Sequence, residues 1–276
     1  MLAQGASSDG IARLIPMFLM LCHGFPGFQK DPLLGVVDYF KNVRGHLSKT
    51  CRDINVLLPE LPNVGAIPLA QRAPILSGEI AKHVPASERV HIIGHSAGGI
   101  DARLLASPAG LNQGHRIASI TTVGSPHHGA LIANILANPT AEFAFLLPGL
   151  QPFALGIRDF TTASMAQFNR DVIDHPQVAY QSFGGTTGLL TRGVIGVPFL
   201  LTHPIILHRE GMNDGWVSVA SSRHGVFRGA VSADHAELIG HELSPAGEFF
   251  AALGHPVFDH LTFYEQIVAS LGAARR

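Results

Sequence analysis

The stretch that most constrains this chain is Arg89-Val-His-Ile-Ile-Gly-His-Ser-Ala-Gly-Gly-Ile-Asp-Ala-Arg-Leu-Leu105. Val90, Ile92 and Ile93 form an apolar run of the kind that makes a strand buried on both faces. Gly94-His95-Ser96-Ala97-Gly98 follows, and Ile100, Leu104 and Leu105 then recur at helical spacing. Small residues two positions either side of a serine let a strand turn sharply into a helix. Such a turn holds the hydroxyl out at the helix N-terminus, where backbone amides and the helix dipole favour negative charge. This is the Gly-x-Ser-x-Gly nucleophile elbow, with Ser96 as the candidate nucleophile. A Gly/Ser-rich turn without chemistry is the alternative for the pentapeptide alone. The strand before it and the helix after it weigh against that alternative.

A chain of 276 residues is long for one domain but within the range where α/β sheets stay single. Only 14% of residues are charged while 46% are hydrophobic, against about 25% charged in an average soluble domain. The core is therefore ample, with apolar surface to spare. A net charge of −1 gives no electrostatic case for nucleic acid or an anionic membrane surface. The histidines are scattered and neither Cys pairs nor a His-Glu-x-x-His spacing points to zinc. Two cysteines cannot make a disulfide framework. Cys22 ends one expected strand and Cys51 precedes the next, so in a parallel sheet the thiols lie at opposite ends and stay free. No run of 18 or more apolar residues exists to form a membrane-spanning helix.

Along the chain, residues 15–22 read as a buried strand ended by His23-Gly24-Phe25-Pro26-Gly27-Phe28. Asp31-Pro32 reads as an N-cap with proline at N1, and Leu33, Leu34, Val37, Phe40, Val43 and Leu47 continue as an amphipathic helix. Ile54 to Leu58 is a strand and Ile75 to Val84 a short helix before the elbow strand. Ile117 to Val123 is another strand, ending in Gly124-Ser-Pro-His-His-Gly129. Strand–helix alternation of this kind predicts a mostly parallel sheet with right-handed crossovers.

From Ala130 to Ile157 only Glu142 is charged, and prolines at 139, 148 and 152 break the stretch into short helices. It reads either as buried core helices or as a lid whose apolar inner face covers a site. Gln177 to Phe183 resumes strand character. Gly184 to Thr202 reads as a hairpin or second cap segment, His203 to His208 as a late strand, and about Val257 to Leu271 as a final helix. One α/β domain over 1–276 follows, with a lid at about 130–175 and a possible second cap segment at about 184–203.

A serine needs a base, itself oriented by a carboxylate. In folds with this elbow the chain order is nucleophile, acid, histidine, the last two on loops after late strands. The acids beyond the cap are Glu210, Asp214, Asp234, Glu237, Glu242, Glu248, Asp259 and Glu265. Asp214, in Asn-Asp-Gly after the expected strand, stands where the orienting carboxylate belongs, although a plain Asp-Gly turn is the commoner use of such a pair. His235 follows after room for one strand and a loop; His224, His241, His255 and His260 are its rivals. The oxyanion requires two backbone donors, one from Ala97 and the other from the loop at 23–25, with Phe25 N–H in that role.

Five segments together resemble the bacterial true lipases of the Pseudomonas/Burkholderia type, triacylglycerol lipases of the α/β-hydrolase superfamily. They are His23-Gly-Phe-Pro-Gly-Phe28, Val90-His-Ile-Ile-Gly-His-Ser-Ala-Gly-Gly99, Ser119-Ile-Thr-Thr-Val-Gly-Ser-Pro-His-His-Gly129, Asn213-Asp-Gly-Trp-Val-Ser-Val-Ala-Ser-Ser222 and Asp234-His-Ala-Glu237. The resemblance implies Ser96, Asp214 and His235 as triad, Phe25 and Ala97 as oxyanion donors, and residues near 130–157 as lid. The chain departs from the family's pattern in three places. Ala97 replaces a polar residue, the cap-side disulfide is missing, and Glu237 stands where the family has one of two calcium-binding aspartates. No aspartate between Asp174 and Asp214 matches the other, so neither metal nor cofactor is expected.

The expectation is thus a serine carboxylic-ester hydrolase, a lipase or long-chain esterase working through an acyl-enzyme. Hydrolysis of polyesters or phospholipids is the alternative within enzymes, and a catalytically silent module binding an apolar ligand is the alternative outside them. The partner is an ester or lipid substrate, at an oil–water interface if the lid reading holds, with no nucleic acid. The family is secreted. The chain shows no signal segment, so it is expected outside the cell if this is a mature form and in the cytoplasm if complete as given.

Overall fold

A computed structural model describes residues 16–24, 30–31, 35–36, 38–61, 67–138, 154–187, 199–243 and 258–273. Six parallel strands form the central sheet: β1 (Met17–Cys22), β4 (Ile54–Leu57), β5 (Val90–His95), β6 (Ile117–Val123), β7 (Ala179–Thr186) and β8 (Val226–Ser232), in the spatial order β4-β1-β5-β6-β7-β8. All five neighbouring pairs run parallel. A separate two-residue pair, β2 (Lys30–Asp31) and β3 (Gly35–Val36), is antiparallel.

Side-chain alternation divides the central strands between two cores. Leu19 and Leu21 of β1 and Ile93 of β5 face α1 (Val43–Thr50) and α8 (His260–Ala273), meeting Val43, Leu47, Tyr264 and Ile267. Phe18, Met20 and Cys22 of β1 face the opposite side with Ile92. There they pack on α2 (Leu69–His83) and α3 (Ala97–Ala106) through Leu76, Ile80, Ala102 and Leu105. Each such side chain contributes about 1.5–3 kcal/mol of burial, and the two layers fix the elbow strand from both sides. A third cluster lies over the start of α3. It joins Ala97 and Ile100 to α4 (Leu131–Ala137), α5 (Ala154–Ile157), α6 (Thr162–Asp171) and α7 (Thr202–Glu210).

Three local readings change. The helix expected from Asp31-Pro32 begins only at Val43, since Gly35–Val36 pair with Lys30–Asp31. Asn42 precedes it with φ +62°, its N–H on Asp38 Oδ2 at 2.7 Å, a short side-chain turn that separates Tyr39 and Phe40 from the helix. The helix expected from Ile75 instead starts at Leu69, through Pro74. Its first N–H is taken by Asp159 Oδ2 at 2.6 Å, a cap supplied from ninety residues away. His203–His208, read as a strand, belongs to α7: Pro204 falls in the first turn, where its missing N–H costs nothing.

Gly184–Thr186 complete β7, and Thr202 opens α7, at the two ends of the second cap segment. Of the lid stretch, α4 and the residues from Ala154 onward are seen; 139–153, like 188–198, lie outside the described residues. Cys22 and Cys51 are free thiols. No described helix is long and apolar enough to cross a membrane.

Candidate active site

β5 ends at His95, and Ser96 follows with φ +54° and ψ −127° before α3 begins at Ala97. A non-glycine residue in that conformation is strained and needs its neighbours to hold it. The Ser96 N–H donates to Val123 O of the adjacent strand at 2.9 Å. Gly98 explains the motif's last position, because a Cβ there would lie 2.2 Å from Cys22 O. Ser96 is 5% exposed, and its flanking Ala97 amide is the first of α3, where N–H groups are free of intrahelical partners.

Asp214 and His235 come from later in the chain than β7. Asp214 follows α7, not a strand, and is fully buried. Its Oδ1 accepts the N–H of Trp216 at 2.9 Å and of Val217 at 2.7 Å, which leaves Oδ2 directed at His235 Nδ1, 2.7 Å away. The His235 N–H donates to Asp214 O at 2.8 Å, so the pair is tied through main chain as well as side chain. Gly124, just past the end of β6 with φ +58°, lets the pair come close. A Cβ there would stand 3.1 Å from Asp214 Oδ2 and 3.4 Å from His235 Nδ1. Since the Ser96 N–H is bonded to Val123 O, Ser96 and the Asp214–His235 pair both adjoin the end of β6.

The His235 ring lies against that of His95 at 4.6 Å between centroids and stacks on Trp216 at 6.3 Å. Burial, with His235 next, holds the His95 imidazole well below its ordinary range, so it is neutral. Trp216 and Ser96 line one cleft, whose other walls include Ala130, Ala133, Leu136, Ile157 and Phe160. α4, the end of α5 and Phe160 thus put apolar side chains beside the serine.

The rival residues are engaged elsewhere. Asp234 Oδ1 accepts the N–H groups of Ala236 and Glu237, while Glu237 Oε2 accepts that of Asp234 at 2.8 Å. This is a reciprocal cap on a short turn. His224 Nε2 pairs with Asp174 at 3.0 Å, His241 Nε2 with the carbonyls of Asp38 and Tyr39, and His260 Nε2 with Lys41 O. Asp259 caps Thr262, and Glu265 meets His46. Phe25, His255 and Glu248 lie outside the described residues. In the resembling family the place of Glu237 is held by a calcium-binding aspartate. Glu237 is turned into its cap, and no group of three or more His, Cys, Asp or Glu able to hold a metal occurs among the described residues.

Sequence reasoning passed over Trp216, Tyr39 and His95. Trp216 is the only tryptophan of the chain and adjoins the Asn-Asp-Gly turn, and His95 is inside the elbow motif, so both were within reach. Nothing local marks Tyr39.

The chain is similar to known proteins in sequence and in fold. The PGAP1-like alpha/beta domain family matches residues 69–136, which include the elbow. The chain is 28% identical to triacylglycerol lipase 2 of Saccharomyces cerevisiae over 74% of its own length and 62% of the yeast protein's, so it spans less than two thirds of that relative. It is 25% identical to the triacylglycerol lipase of Pseudomonas fragi, covering 80% of this chain and 70% of the relative. Among solved structures, a metagenomic carboxyl esterase superposes with TM-score 0.70 at 15% identity, covering 95% of this chain and 77% of its own. The mature lipase of Bacillus licheniformis does so with TM-score 0.65 at 18% identity, covering 88% and 93%. The chain has the α/β-hydrolase fold.

Proposed function

We propose that this protein is a serine carboxylic-ester hydrolase, a lipase or long-chain esterase of the Pseudomonas/Burkholderia type, acting through an acyl-enzyme. One observation carries the reading: a strained serine at a strand end opens on an apolar cleft walled by Trp216, which stacks on a histidine hydrogen-bonded to a buried aspartate.

Ser96 Oγ attacks the ester carbonyl while its proton passes to His235 Nε2, the nitrogen that Asp214 leaves open by accepting Nδ1–H. Asp214 holds that tautomer and stabilises the imidazolium. The carbonyl oxygen takes up negative charge against the amides of Ala97 and Phe25. Collapse expels the alkoxide, which receives the proton from His235. A water molecule then gives its proton to His235 and attacks the acyl-enzyme, releasing the acid and returning the proton to Ser96. Beyond Ser96 the cleft is walled by apolar residues, which suits an uncharged acyl chain, and no step calls on a metal.

Residues 130–175 form a cap on the one domain, and the nearly uncharged stretch within them is its lid. Exposed apolar surface costs about 25 cal/mol per Å² in water; an oil–water interface removes that cost and favours the open state. Initial rates on esters of increasing chain length, below and above their solubility, test the reading together with Ser96→Ala. Turnover of the variant is expected to fall on the order of 10⁶-fold with the melting temperature kept. Residual activity within tenfold of wild type would remove Ser96 from the nucleophile's place.

A further inference from the structure

Tyr39 plays no part in the steps above, yet it sits in their midst. It lies in the turn before α1 and is 7% exposed, its ring packed 5.4 Å from that of His23, 5.8 Å from His95 and 5.2 Å from Phe40. Its hydroxyl accepts the Gly24 N–H at 2.9 Å and is 2.8 Å from His95 Nδ1. Because Gly24 can only donate, the single phenolic proton goes to His95. Nδ1 of that imidazole is therefore the acceptor, and its proton is on Nε2. Burial pushes the Tyr39 phenol up and the His95 imidazole down, so both groups stay neutral and the chain of bonds keeps one direction.

Each end of this chain touches the site. Gly24 lies against the nucleophile: a Cβ on it would be 2.5 Å from Ser96 Cβ and 3.0 Å from the Tyr39 hydroxyl. The amide that follows Gly24 is that of Phe25, the second oxyanion donor of the proposed mechanism. At the other end the His95 ring supports that of His235 at 4.6 Å.

We propose that Tyr39 is a positioning residue of the ester-cleaving site, its hydroxyl pinning the backbone at Gly24 against Ser96 and setting the imidazole of His95 under that of His235. This rests on the reading of the site as a serine hydrolase. A donor aimed at a developing oxyanion acts in the transition state and little in the ground state. The contribution of Tyr39 accordingly appears in kcat and not in KM.

The test is Tyr39→Phe, which keeps the ring and removes the hydroxyl. Turnover of a soluble p-nitrophenyl ester is expected to fall about 30-fold with KM within twofold, less than the 10²–10³ that follows loss of an oxyanion donor outright. Inactivation by a p-nitrophenyl phosphonate, whose tetrahedral oxygen needs the same donors, is expected to slow by a similar factor. A variant with lowered melting temperature but wild-type kcat and phosphonate rate would make Tyr39 a packing residue and overturn the proposal. A second measurement uses the wild type alone. In ¹⁵N spectra at pH 7, His95 is expected to show a bare Nδ1 and a protonated Nε2; the opposite tautomer overturns the proposal even if Tyr39→Phe does not fold. Should the wild type cleave no ester or react with no phosphonate, the hydrolase reading fails. The ¹⁵N result then still decides whether Tyr39 directs His95.

Discussion

Two aspartates of this chain are fully buried beside a nitrogen base and do opposite things. Asp101 on α3 meets Arg72 of α2: Nε is 3.1 Å from both carboxylate oxygens, Nη2 is 3.0 Å from Oδ1, and Nη1 donates to Ile67 O. Asp214 meets His235, with two backbone amides on its other oxygen. Burial is the same in both; the partner differs. A guanidinium cannot take up a proton, so the first pair holds α2 and α3 together, although burial pushes the Asp101 carboxyl up to about 6. In the proposed mechanism the His235 imidazole takes up a proton and returns it, so the second pair changes charge without moving.

The largest expected effect sharpens this contrast. Asp214→Asn should lower turnover about 10⁴-fold by permitting the wrong tautomer, with little change in melting temperature. If Asp214→Asn is nearly silent and Asp234→Asn is not, the carboxylates have been assigned the wrong way round. Asp101→Leu should show the reverse. Stranding Arg72 costs about 3–5 kcal/mol, a fall in melting temperature of roughly 10 °C for a domain of this size, while kcat of the folded fraction stays near wild type. Adding Arg72→Met should restore most of that stability, since buried ion pairs are often replaceable by apolar ones. A double variant as unstable as the single would mean that the pair adds more than it costs to desolvate.

Much of this was legible in advance, and the limits are physical. Strands β1 and β5 announce themselves because strands buried on two faces are rich in apolar residues, as Met17–Cys22 shows. The elbow is legible because its glycines answer to contacts within a few residues or one strand away. Chain order points to Asp214 and His235, and Asp214 lies in a turn after α7, where the sequence suggests a strand. Short apolar runs such as Pro204–Leu207 do not distinguish the two. The start of α2 at Leu69 and the place of Tyr39 depend on Asp159 and His95, far along the chain. No local pattern encodes such partners.

Smaller effects extend the contrast to imidazoles that cannot change charge. His95 and His127 are held well below the ordinary value of 6.5, burial being the first cause in each. His127 also has Arg103 at 3.3 Å and the His224 ring stacked on it. Their folded pKa values are depressed, so the unfolded chain binds more protons below its own pKa. The associated stability is present above about pH 6.5 and lost as pH falls, at up to about 1.4 kcal/mol per pH unit for each histidine. Denaturant unfolding at pH 7 and 5.5 should show this loss, and His127→Gln should reduce it by one proton's worth. Equal slopes would mean that His127 takes up its proton while folded. The smallest effect concerns Glu237. With its carboxylate engaged in a cap, chelation is expected to leave melting temperature and activity unchanged. A drop restored by calcium would reveal a site that the cap does not preclude.

The strand order has a consequence for the making of the protein. Ser96 belongs to the half of the sheet built from β1, β4, β5 and β6, whereas His235 lies just beyond β8, the outer strand paired only with β7. At ribosomal rates of about 5–20 residues per second the serine emerges on the order of 10 s before the histidine. Until then the nascent chain carries the proposed nucleophile without its proposed base. The chemistry proposed for the finished protein is thereby withheld during its own synthesis.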